Sequence, residues 1–252
     1  LTLSTFPLPQ IEIIGSPLTT FPLDDLINMM LKWAQEGSSK LVCIANTQML
    51  IEAHRNPALR SVLREADLVT PEDCPLVWML KLLGVRHQNR MDGMETFLTL
   101  CHEASQQNLS VFFVGSQTEI LNRIQVNLAR QFPNLQIAGM EPLPLRQATA
   151  QKDDFLIRRI NASGASLVFV SLGYLQQEIW MAKHKGFIQG VMIGIGSVFP
   201  VYAGIRRREP QWTRTCRVGW LYRLFQRSIS LWKRYRKTIP IFTCLAARQL
   251  MQ

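Results

Sequence analysis

The chain has few cysteines and no pattern that would put them to use. Cys43, Cys74, Cys101, Cys216 and Cys244 are odd in number and contain no Cys-x-x-Cys pair. That excludes a disulfide framework and predicts reduced thiols in a cytosolic compartment. His54, His87, His102 and His184 form no metal-ligand spacing with them, so no structural metal site is expected. No apolar run approaches the roughly 18 residues of a membrane-spanning helix. The opening LTLSTFPLPQ lacks a basic stretch ahead of an apolar one, so no signal peptide is expected. Internal repeats and low-complexity tracts are also absent.

What is present is a large apolar content: 47% of 252 residues, enough for one large domain or a domain with an appendage. Acidic residues are scarce in one place. Residues 205–237 hold eleven Lys and Arg against one acid, Glu209, which accounts for the whole net charge of +10. The remainder is near neutral. A neutral body with a basic tail predicts a polyanion or an anionic surface as partner.

Along the chain, short apolar runs alternate with helical periodicity. Strands are predicted at 11–14, 41–45, 68–70, 109–115, 136–139, 166–173 and 190–196. Helices are predicted from Asp24-Asp25 to Gly37, over 48–65 with a break at Pro57, and over 75–84 and 94–106. Further helices are predicted up to Gln131, over 150–162 and over 174–184. This alternation implies an α/β fold with a parallel, doubly wound sheet.

The chain is organised around residues 66–97. A strand end, Leu68-Val69, runs through Thr70-Pro71 into two carboxylates, Glu72 and Asp73, and then into a helix opened by Pro75. Carboxylates at the carboxyl end of a strand sit where open α/β sheets bind ligands. On local sequence alone, Asp73 before Pro75 also reads as a helix cap.

The tail mixes Trp212, Trp220, Leu221, Leu224, Phe225, Leu231, Trp232 and Tyr235 with its cations. Trp220, Leu221, Leu224 and Phe225 share one helical face, and Arg223 and Arg227 a neighbouring one. Such a stretch suits an interfacial membrane helix or single-stranded nucleic acid. An amphipathic helix docked on the body, with a solvated basic face, has the same pattern. No base-reading motif accompanies it, and the neutral body argues against nucleic acid. Apolar positions on this helix are compatible with a homo-oligomer.

Four segments together resemble the WecG/TagA/CpsF family of glycosyltransferases. They are Ile44-Ala45-Asn46; ADLVTPED with PLVWMLKLLG and Arg90; SLGYLQQEIW at 171–180; and GIGSVFPVYAG at 194–204, followed by WLYRL and LWKRY. The resemblance implies a Rossmann-like body, residues 1–204, and a basic C-terminal appendage, residues 205–252, that meets the membrane. It implies inverting, metal-independent transfer of an N-acetylmannosamine-type sugar from a UDP-sugar to a polyprenyl-diphosphate-linked acceptor. That places the protein peripherally on the cytoplasmic face of the plasma membrane.

Carried across residue by residue, the family's general base falls on Glu72, where Asp is usual, and Asp73 stands where Gly is usual. Glu72, or Asp73 after a small backbone shift, is therefore the catalytic candidate. Arg90 matches an Arg suited to clamping a diphosphate. Asn46, Gln177 and Glu178 match polar contacts to the donor. Gly194 and Gly196 match glycines that let the backbone approach the nucleotide. Arg223, Lys233 and Arg234 match cations for the lipid diphosphate. Leu175 stands where Pro is usual and Pro200 where Asp is frequent. These departures leave a second reading: a member that binds nucleotide sugar or lipid without turnover.

Overall fold

A computed structural model describes residues 8–143, 150–173, 175–206 and 229–251, and the side chains of 150–152 and 229–237 are not among those described. The six-stranded sheet has the order β4-β3-β8-β7-β5-β6. Its strands are β3 (Lys40–Ala45), β4 (Leu68–Pro71), β5 (Ser110–Gly115), β6 (Gln136–Glu141), β7 (Leu167–Ser171) and β8 (Val191–Gly194). Every neighbouring pair is parallel. The fold is therefore α/β, with a Rossmann-like doubly wound sheet and a C-terminal helix.

Period-2 alternation sorts the strand side chains cleanly. Leu41, Cys43, Ala45, Val168, Val170 and Met192 face one layer, which holds α2 (Thr47–Arg55), α3 (Pro57–Glu65), α4 (Cys74–Leu82), α7 (Ala150–Ala162) and α8 (Gln176–His184). Val42, Ile44, Phe113, Phe169 and Ile193 face the other. That layer holds α1 (Leu23–Gln35), α5 (Gly93–Gln106), α6 (Thr118–Gln131) and α9 (Val198–Tyr202). Burial on both faces explains why these strands read as continuous apolar runs rather than alternating ones.

A hairpin of β1 (Gln10–Ile13) and β2 (Ser16–Thr19) lies apart from this sheet, against β4. Sequence periodicity predicts only its first strand, because Pro17 demotes the second. The two-residue turn places Ile14 at φ 53 and Gly15 at φ 76. A β-branched residue at positive φ is unfavourable. Here Gln249 of α10 (Ile229–Leu250) clips the turn: its Oε1 accepts from the Ile14 N–H at 2.9 Å, and its Nε2 donates to the Glu12 carbonyl at 2.6 Å. Phe242 and Ala246 bury the same end of α10 in the first core layer. The aromatic face expected at 220–225 lies outside the described residues. Among those described, no helix is long and apolar enough to cross a membrane.

Candidate active site

β3 and β8 lie side by side, and the segments that follow them leave on opposite faces, α2 into the first core layer and α9 into the second. Such a switch point opens a crevice at the carboxyl ends of the strands. Asn46 stands at the end of β3 as the cap of α2, its Oδ1 accepting from the Met49 N–H at 3.1 Å. Its Nδ2 donates to Glu72 Oε2 at 3.2 Å. Because an N–H occupies the amide oxygen, the NH2 must face the carboxylate, so the cap fixes the orientation of the pair. The Glu72 backbone N–H donates to the Ala45 carbonyl at 2.7 Å and holds this strand end against β3.

Asp73 serves two helix starts. Its Oδ2 accepts from the Thr47 N–H at 2.8 Å and its Oδ1 from the Leu76 N–H at 3.4 Å. The cap reading describes this geometry, and the carboxylate also ties α4 to the first turn of α2. Arg90 lies on the loop that returns to β4, where the Met91 N–H donates to the Pro71 carbonyl at 2.8 Å. The half-buried Arg90 pairs with Asp92 at 3.3 Å. Asp92 in turn caps α5 by accepting from the Met94 and Glu95 N–H groups.

The other wall is the first turn of α8. Gln177 and Glu178 are both buried, with Glu178 only 1% exposed. Gln177 Nε2 donates to Glu178 Oε1 at 2.8 Å. Burial pushes the Glu178 carboxyl up to about 7; the bond from Gln177 opposes the rise, and the nearby Glu72 charge adds to it. Asp153 of α7 anchors α8 by accepting from Trp180 Nε1 at 3.4 Å and Lys183 Nζ at 2.8 Å.

Gly194 and Gly196 complete this wall. A Cβ on Gly196 would meet Gln177 Oε1 at 2.4 Å, and one on Gly194 would meet Met181 at 2.8 Å and Gln177 Nε2 at 3.0 Å. What the two glycines accommodate in this structure is the Gln177 side chain.

The fold thus hydrogen-bonds Asn46 to Glu72, with Asp73 next in the chain held by Thr47, and Gln177 to Glu178, with Gly194 and Gly196 packed against Gln177; the Glu72 charge acts on Glu178. Arg90 joins through the Met91–Pro71 bond. Arg223 lies outside the described residues, as do the side chains of Lys233 and Arg234 on α10.

Three participants escape the sequence reading. Thr47 supplies the N–H that holds Asp73. Ser171 Oγ donates to the Gly196 carbonyl at 3.1 Å. Asp92 orients Arg90; its spacing from Glu95 has the capping-box form and was the available signal. Thr47 Oγ1, Gln177 Oε1 and Glu178 Oε2 are buried with no hydrogen-bond partner among the described residues. Buried polar atoms are otherwise satisfied by protein groups, ordered water or a bound ligand. The site therefore presents a carboxylate held by an amide and a neighbouring buried carboxyl, with the Asp92-paired guanidinium of Arg90 on the loop tied to the end of β4. These groups can move a proton and receive a polar, anionic ligand. Among the described residues, no group of three or more His, Cys, Asp and Glu is placed to hold a metal ion.

The chain is 30% identical over 223 residues to the N-acetylglucosaminyldiphosphoundecaprenol N-acetyl-beta-D-mannosaminyltransferase of Bacillus spizizenii, covering 88% of this chain and 83% of that one. Proteins of the same name from Bacillus subtilis and Staphylococcus aureus are each 25% identical. The first match covers 88% of this chain and 84% of the relative, the second 92% and 90%. Residues 11–252, both walls of the crevice and the basic tail included, match one family, and the chain belongs to it: the glycosyl transferase WecG/TagA/CpsF family.

Proposed function

We propose that this glycosyltransferase moves an N-acetylmannosamine-type sugar from a UDP-sugar to a sugar carried on polyprenyl diphosphate, with inversion at the anomeric carbon. The relatives' names support the sugar and the acceptor. The observation that carries the mechanism is the Asn46–Glu72 pair, a carboxylate oriented from the cap of α2 at the mouth of the crevice.

In this reading the acceptor hydroxyl gives its proton to Glu72, and its oxygen bonds to the anomeric carbon. The bond from that carbon to the donor diphosphate breaks, and UDP departs with the electron pair. Proton transfer of this kind contributes about 10²–10⁴-fold. Arg90 and the cations Arg223, Lys233 and Arg234 receive the diphosphate charge. Gln177 and Glu178, seated by Gly194 and Gly196, meet the donor's polar groups. Asp73 holds the frame while Glu72 acts. Residues 1–204 form the catalytic body. Residues 205–252 form an appendage that meets the cytoplasmic face of the membrane.

The test is incubation of the full chain with UDP-N-acetylmannosamine and a short-chain prenyl-diphosphate N-acetylglucosamine, with the product read by mass. A lipid-linked disaccharide and free UDP are expected. UDP binding without product would instead mark a member that keeps the pocket without turnover.

A further inference from the structure

The helix that begins at the catalytic carboxylates is apolar on both faces. Of the nine residues of α4, CPLVWMLKL, only Lys81 is charged. Leu76, Met79 and Leu80 fill the first core layer. On the outer side Trp78 is 49% exposed and Leu82 71% exposed. They stand at i and i+4, one above the other on a single stripe, with Lys81 beside them. Exposed Arg86 and His87 follow at the carboxyl end of the helix. Between Asp73 and Asp92 the sequence carries Lys81, Arg86 and Arg90 and no acid.

An outward Trp and Leu on a segment whose only charged residues are cations has the chemistry of a shallow membrane contact. The indole and the isobutyl group enter the headgroup boundary, and the cations meet anionic phosphates. We infer that the exposed face of α4, Trp78 and Leu82 with Lys81 and Arg86, is a docking surface for an anionic lipid bilayer, separate from the basic tail.

Its position suits the acceptor proposed above, on which this part of the argument rests. At 1.5 Å per residue, Trp78 and Leu82 lie about 7 and about 13 Å along the helix from Asp73. In a lipid-linked sugar, one ring and a diphosphate separate the reacting hydroxyl from the lipid, a span of the same order. A surface that holds the bilayer at that distance lets the acceptor hydroxyl reach Glu72 without being drawn out of the membrane.

The test is flotation of the full chain with vesicles of phosphatidylcholine alone or mixed with phosphatidylglycerol. It involves no sugar transfer, so it fails or succeeds independently of the proposed activity. The Trp78→Ser/Leu82→Ser variant should partition about tenfold more weakly onto mixed vesicles, at a temperature where circular dichroism shows it folded, since half of Trp78 is buried. Lys81→Gln/Arg86→Gln should weaken binding to mixed vesicles about tenfold and leave phosphatidylcholine binding alone. Vesicles with brominated acyl chains report contact directly: part of the emission they quench, beyond that of the tail tryptophans, should disappear in Trp78→Phe. Three outcomes overturn the assignment. The wild-type chain fails to float, both double variants float like wild type, or the apolar variant loses self-association and keeps its flotation. The last would make the stripe a contact between copies of this chain.

Discussion

The side-chain amide of Asn46 caps α2 with its oxygen and holds Glu72 with its nitrogen, at 3.1 and 3.2 Å. Helix start and candidate base are therefore one structural unit. Asn46→Ala should lower stability by about 1 kcal/mol through the lost cap. It should also lower the transfer rate about tenfold or more, with KM for the donor less affected. Asn46→Asp keeps a cap but places a like charge against Glu72, so it should recover only part of the stability and none of the rate. Thermal unfolding beside steady-state kinetics separates the two effects.

Asp73 should report in stability before it reports in chemistry. Its carboxylate accepts N–H groups from both α2 and α4. Asp73→Ala should cost about 1–2 kcal/mol and lower Tm by a few degrees. Replacing Glu72-Asp73 by Asp-Gly, the pair usual in the family, removes the same tie. The expected result is a less stable protein, read by thermal unfolding, whatever happens to its rate.

Glu178 gives stability a pH dependence of known sign. Its folded carboxyl titrates at about 7 against an ordinary 4.5, so between these values the folded state holds a proton that the unfolded chain has lost. This contribution is therefore fully present below pH 4.5, falls as pH rises to about 7 and is flat above, with a span on the order of 3 kcal/mol. Buried His184, whose ring is pulled below its usual value by desolvation, works in the opposite direction. Comparing Tm of wild type and Glu178→Gln from pH 5 to pH 8 isolates the Glu178 share. The Gln variant should lose that part of the decline.

Gly196→Ala tests the wall opposite Glu72. Its Cβ would crowd Gln177 Oε1, so the Gln177 side chain, whose Nε2 donates to Glu178, must shift. Donor affinity should fall about tenfold, read by titration with UDP, while α-helix content by circular dichroism is unchanged. Unaltered UDP binding would remove Gln177 from the donor site.

The parallel sheet was legible because both faces of its strands are buried, which leaves apolar runs such as LVCIA and SVFFV. The candidate segment stands out in sequence because a strand end, two acids and a proline occur together, and the fold places both acids at the end of β4. β2 was hidden by Pro17, and α9 by its length and by Pro200. The buried state of Glu178 could not be read from Gln-Gln-Glu at a helix start, where an exposed acid favoured by the helix dipole has the same sequence. The roles of the glycines depended on where Gln177 turned, a tertiary fact. The carboxyl end of α10 carries no such signal: charge and aromatics concentrate at 205–237, while packing uses Phe242, Ala246 and Gln249.

The most direct test of the central claim is the initial rate of transfer from UDP-N-acetylmannosamine to the prenyl-diphosphate acceptor for wild type, Glu72→Gln and Asp73→Asn, each at saturating substrates. The account predicts that Glu72→Gln falls by about 10²–10⁴-fold. Asp73→Asn, which keeps an acceptor oxygen for one of its two N–H partners, Thr47 or Leu76, should be less stable but stay within about tenfold of wild type in rate. A Glu72→Gln enzyme that turns over at the wild-type rate would contradict it.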